Sequence, residues 1–146
     1  MHIEGSHSIA APREQVWQAL NDPEVLARCL PGVTTLEPSG EDRYTAQLKL
    51  GVGPIRGDFK GRVEVRDKEP LAALTLYVEA RGPMGTVRAT GGVQLEDEAE
   101  ATAVSYAGDA QLIGPMAGLG NRVMQSVAKT LAQQFFKALE REVRRA

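Results

Sequence analysis

The chain has 146 residues, 42% hydrophobic and 25% charged, a composition that fits one soluble globular domain and argues against disorder. Its formal net charge of -2 supplies no general basic field for nucleic acid. One cysteine, Cys29, allows no internal disulfide; the N-terminus lacks the parts of a signal peptide, and no apolar run approaches the ~20 residues of a membrane span. The expectation is a cytoplasmic protein with one domain, residues 1–146.

In chain order, His2 to Ile9 alternate, with Ile3, Gly5, His7 and Ile9 on one face, and predict a first strand. Pro12 opens a short helix whose apolar stripe is Val16, Trp17 and Leu20. Asn21-Asp22-Pro23 breaks it, with Asp22 as N-cap and Pro23 as first residue of a second short helix carrying Val25, Leu26 and Leu30. Pro31-Gly32 ends that helix.

From Val33 to about Leu112 the period is two. Val33–Leu36 and Tyr44–Val52 form a hairpin across a turn at Pro38 to Asp42. Phe59, Gly61, Val63 and Val65 then alternate with charged residues, a strand with one dry and one wet face. Later strands carry Leu74 to Ala80, Val87 to Leu95 and Val104 to Leu112, giving about seven in all. Gly114 to Gly120 reads as a flexible rim loop. After it, Val123, Val127, Leu131, Phe135 and Leu139 recur at i, i+4. A helix from Leu119 to Arg145 would run roughly 40 Å at 1.5 Å per residue. The pattern predicts an α+β fold, a curved antiparallel sheet gripping one long C-terminal helix, with space left between them.

Catalytic constellations are missing. The two histidines, His2 and His7, cannot form a three-histidine metal site, and there is no HExxH, no cysteine pair and no GxSxG. Cys29 reads as a buried structural thiol, and His7 as a structural histidine facing the concave side. Gly51-Val-Gly53 lacks the third glycine of a dinucleotide fingerprint, and Gly114 to Gly120 lacks a Walker lysine. No metal or cofactor is expected. The remaining signal is apolar. Pro31, Leu48, Phe59, Val78, Met84, Val87, Tyr106, Met116, Leu119, Val123 and Val127 converge between sheet and helix, where they either fill a core or line a pocket. Val123 and Val127, near the glycine-rich loop, are the better candidates for ligand contact than Leu139.

The segment Ile9-Ala-Ala-Pro12-Arg-Glu-Gln-Val16-Trp17, with Asp22-Pro23-Glu24-Val25-Leu26 and Cys29-Leu30-Pro31-Gly32, resembles the CoxG family, named for the G subunit of carbon monoxide dehydrogenase. Gly51-Val-Gly53, Phe59-Lys-Gly61, Gly82-Pro-Met-Gly85 and Gly114-Pro-Met-Ala-Gly118-Leu-Gly120-Asn-Arg continue the likeness over nearly the whole chain. The resemblance implies a helix-grip domain of the START/Bet v 1-like (SRPBCC) superfamily with a deep apolar cavity, generally non-enzymatic. It also implies association with a molybdenum hydroxylase of the carbon monoxide dehydrogenase type, through recruitment, maturation or the holding of a quinone-like lipid. Longer members carry a C-terminal tail that attaches to the membrane. This sequence ends at Ala146 without one, so at most peripheral membrane contact is expected. The alternatives are a recruitment or maturation factor with an incidental cavity, and a cyclase or hydrolase of the same fold.

Overall fold

The computed structural model describes residues 1–145, and the side chain of Arg145 and all of Ala146 lie outside that description. The chain runs β1 (His2–Ile9), α1 (Arg13–Leu20), α2 (Pro23–Cys29), β2 (Val33–Gly40), β3 (Arg43–Val52), β4 (Ile55–Glu69), β5 (Ala73–Gly82), β6 (Gly85–Glu98) and β7 (Ala101–Ile113). A 3-10 turn (Pro115–Leu119) leads into α3 (Asn121–Arg145). The seven strands make one antiparallel sheet in the order β1-β7-β6-β5-β4-β3-β2. Strands β2 to β7 are joined by short turns, which forces neighbours in sequence to pair. β1 instead crosses to the far edge and pairs with β7, His2 opposite Asp109 and Ile9 opposite Thr102.

Local chemistry sets the element ends. The Asp22 carboxylate accepts the Glu24 N–H at 2.9 Å and caps α2, with Pro23 in the first turn. Pro12 occupies the cap position of α1 rather than its first turn, and no side chain caps that helix. The first hairpin is tighter than its sequence implies, because β2 continues through Pro38 and Ser39 and leaves Glu41 and Asp42 to turn. Proline is tolerated there because β2 is an edge strand.

Two apolar clusters hold α3 against the sheet. The larger joins α1, α2 and the C-terminal half of α3 to the sheet through Ile9, Val16, Leu26, Val104, Phe135 and Leu139, all at most 8% exposed. Arg28 Nε reaches Glu142 at 2.6 Å and ties α2 to the same end of α3. The smaller joins Ile55, Phe59, Met116, Met124 and Val127 at the opposite end of the sheet. Gly114 to Gly120, read from sequence as a rim loop, contains the 3-10 turn and is anchored at one point. Met116 within it is 1% exposed and its N–H donates to the Met84 carbonyl at 2.8 Å.

Candidate functional site

Between the two clusters the sheet and helix do not touch, and an apolar cavity of about 370 Å³ separates them. Its origin is legible in the register. Cross-strand rows bring Ala46, Gly61 and Ala80 together, then Ala89 opposite Ala110, then Gly91 opposite Gly108. All face α3, which answers with Ala128 and Ala132. Small residues on both surfaces leave a void that the larger residues at either end cannot collapse. Gly108 is required by closeness as well, since a Cβ there would lie 2.4 Å from the Thr90 carbonyl.

Of the sequence-predicted residues, Pro31, Leu48, Phe59, Val78, Val87, Tyr106, Met116 and Val127 border this cavity. Met84 and Leu119 do not, and pack instead on the outside of the smaller cluster. Val123 is 37% exposed, which corrects the expectation that it faces a ligand. At 100° per residue it lies roughly 120° around the helix from Phe135, off the edge of the buried stripe. Leu139 is fully buried in the larger cluster, away from the cavity. Sequence reasoning missed Ala89, Ala110, Ala128, Leu131 and Ala132 on the wall. Alanines and glycines recurring at inward positions were the available signal.

The cavity offers little polar chemistry. Arg62, Glu79, Thr90 and Asp109 border it, but strand alternation turns their side chains to the other face. Tyr106 is the inward hydroxyl. Its ring stacks on Phe136 at 5.2 Å, and its oxygen lies over Gly5, where a Cβ would come within 2.6 Å. His7 stacks on Phe136 at 5.8 Å and does not border the cavity. Cys29 is buried beneath α3, where desolvation pushes its thiol pKa up to about 11, the opposite of a nucleophile's requirement. Among the described residues no three His, Cys, Asp or Glu side chains could hold a metal ion. Such a site can enclose an apolar molecule.

The two ends of the sheet differ in charge. At one end Glu41 and Asp42 form the turn after β2, Asp67 and Glu69 close β4, and Glu98 at the end of β6 is followed by Glu100 in the turn. At the opposite end the turns Gly53-Pro54 and Pro83-Met84 and the segment Gly114–Asn121 contain no acidic residue, and Arg56 and Arg122 flank them. The exposed large apolar residues, Ile113 and Val123, lie at this end too. Among the described residues no helix is long and apolar enough to cross a membrane.

A curved antiparallel sheet gripping a long C-terminal helix over an apolar cavity places the protein in the helix-grip, Bet v 1-like (SRPBCC) class. The family model for the G subunit of carbon monoxide dehydrogenase (CoxG) matches residues 5–144. The chain belongs to the CoxG family, whose members are accessory rather than catalytic components. A conserved protein from Geobacillus kaustophilus has the same structure with TM-score 0.95 and 34% identity, over 99% of this chain and 96% of that one. A protein from Thermus thermophilus aligns with TM-score 0.71 and 22% identity over 98% and 97% of the two chains. The Zhui aromatase/cyclase of a Streptomyces species matches with TM-score 0.71 and 18% identity over 99% and 94%, a likeness of fold alone. No curated protein sequence matches the chain.

Proposed function

We propose that the protein is a non-enzymatic carrier that holds a hydrophobic small molecule, lipid- or quinone-like, between sheet and α3. It would serve a carbon monoxide dehydrogenase-type molybdenum hydroxylase in the cytoplasm. The observation that carries the reading is the cavity of about 370 Å³ walled by apolar side chains. Family membership supports the association with that enzyme. Apolar burial supplies affinity, and the Tyr106 hydroxyl is the polar group available for orientation. The acid-free end with Ile113 and Val123 exposed suits brief peripheral contact with a lipid surface from which such a ligand would load. Native mass spectrometry of the purified protein, followed by calorimetric titration with a short-chain quinone, tests the proposal. A co-purifying lipid or a saturable one-to-one heat supports it. No bound species and no heat would overturn it, and would leave a recruitment or maturation factor whose cavity is incidental.

A further inference from the structure

The sheet face turned away from the cavity contains a buried carboxylate where alternation leads one to expect a solvated charge. Glu79, in β5, is 5% exposed and stands in register between Arg62 of β4 and Arg88 of β6. Its Oε1 accepts from Arg62 Nη2 at 3.3 Å and pairs with Arg81 Nε at 3.4 Å. Its Oε2 accepts from Arg88 Nε at 2.9 Å and from the Tyr77 hydroxyl at 3.4 Å. Desolvation pushes the Glu79 pKa up, but the Arg88 hydrogen bond and the charges of Arg62, Arg81 and Arg88 more than offset it and hold the group below the usual range.

One carboxylate does not need so many partners. Three guanidiniums against one carboxylate leave a surplus of two positive charges, and Lys60, opposite Arg81, adds a third. The guanidinium side chains are 44% to 66% exposed and keep N–H groups directed to solvent. Beside them lies a concavity of about 660 Å³ whose charged border is Lys60, Arg62 and Arg81 against Glu79 and Glu37. In a chain of net charge -2 this is a concentrated cationic patch, and its self-repulsion contributes nothing to folding.

We infer that this patch is a docking surface for a protein partner that presents clustered carboxylates. Glu79 already holds the guanidinium forks in place, so little side-chain freedom is lost when a second set of carboxylates arrives. Glu64 and Glu79 interrupt the cations, a spacing that suits discrete carboxylates and opposes the continuous charge of a nucleic acid. A bilayer would need apolar groups to insert, and the exposed Ile113 and Val123 lie at the loop end of the sheet rather than on this face. The docking surface is independent of what fills the cavity.

The test is titration of the isotope-labelled full chain with a hexaglutamate peptide at low and at physiological salt, followed by amide and arginine Nε chemical shifts. Shifts confined to β4, β5 and β6 around Arg62, Arg81 and Arg88, weakening with salt, support the docking surface. Arg81→Gln and Lys60→Gln each weaken the peptide about fivefold, the upper range for an exposed charge pair. Among the described residues Lys60 forms no ion pair with Glu79, so K60Q remains informative if R81Q unfolds. Absence of shifts there overturns the inference, as does tighter binding at the same face by inorganic phosphate, phosphatidylglycerol vesicles or a single-stranded oligonucleotide. The cavity-filling variant Ala128→Leu binds the peptide as the unmodified chain does, which separates this outcome from failure of the carrier reading.

Discussion

Ala128→Leu is the sharpest perturbation of the cavity. Ala128 borders the void from the N-terminal half of α3. At about 30 Å³ per water-sized group, a cavity of 370 Å³ holds roughly a dozen such groups. The substitution adds three methylene equivalents to that space, each worth ~0.8 kcal/mol when buried. An apolar ligand that uses the whole cavity should therefore weaken by ~2.4 kcal/mol, or about 60-fold. The same three groups bury themselves in the empty protein and stabilise it by up to ~2.4 kcal/mol, less a few tenths for helix propensity. At about 2–4 °C per kcal/mol for a domain of this size, the thermal midpoint should rise by roughly 5–10 °C. Calorimetry with and without a short-chain quinone measures both effects, and Ser126→Leu on the exposed side of α3 should produce neither. A fall in midpoint for A128L would mean that the helix and sheet are already in contact there. A rise with unchanged ligand affinity would mean that the ligand binds elsewhere.

Two further outcomes follow from the titratable groups. Because the folded pKa of Glu79 lies below its ordinary 4.5, the ionised carboxylate contributes stability that is present above pH 4.5 and is lost as the pH falls through the folded value. Glu79→Gln should lower the thermal midpoint at pH 7, and its gap to the unmodified chain should close on acidification below 4.5; a gap that stays constant would show that charge plays no part. Cys29, with its pKa pushed up to about 11 and 2% exposed, should resist iodoacetamide at about pH 8 in the folded protein and react once denaturant is added. Fast alkylation without denaturant would contradict its burial beneath α3.

The elements themselves were readable in the amino-acid order. Period-two alternation marked the strands, the i, i+4 stripe marked α3, and Asp22-Pro23 marked the start of α2, because each is a local property of neighbouring side chains. The CoxG-like segments were readable too, and the family model agrees with them. What is local ends there. Val123 and Val127 both recur in the i, i+4 pattern, yet one is 37% exposed and the other 6%, because Val123 lies off the edge of the stripe that the sheet covers.

Tertiary structure decided three matters that no window of sequence contains. It paired β1 with β7, residues roughly a hundred positions apart, as Ile9 opposite Thr102 shows. It gave the two halves of α3 different tasks. Phe135, Leu139 and Val143 join the larger core cluster, while Ala128, Leu131 and Ala132 face Gly91, Gly108 and Ala110 across the void and become cavity wall. It also buried Glu79 on a face that alternation assigns to water, by bringing arginines from three strands around it. The physical reason is the same in each case. A side chain's own hydrophobicity decides whether it seeks burial, but whether it then packs, lines a void or needs a counter-charge depends on the size and charge of residues that only register places opposite it.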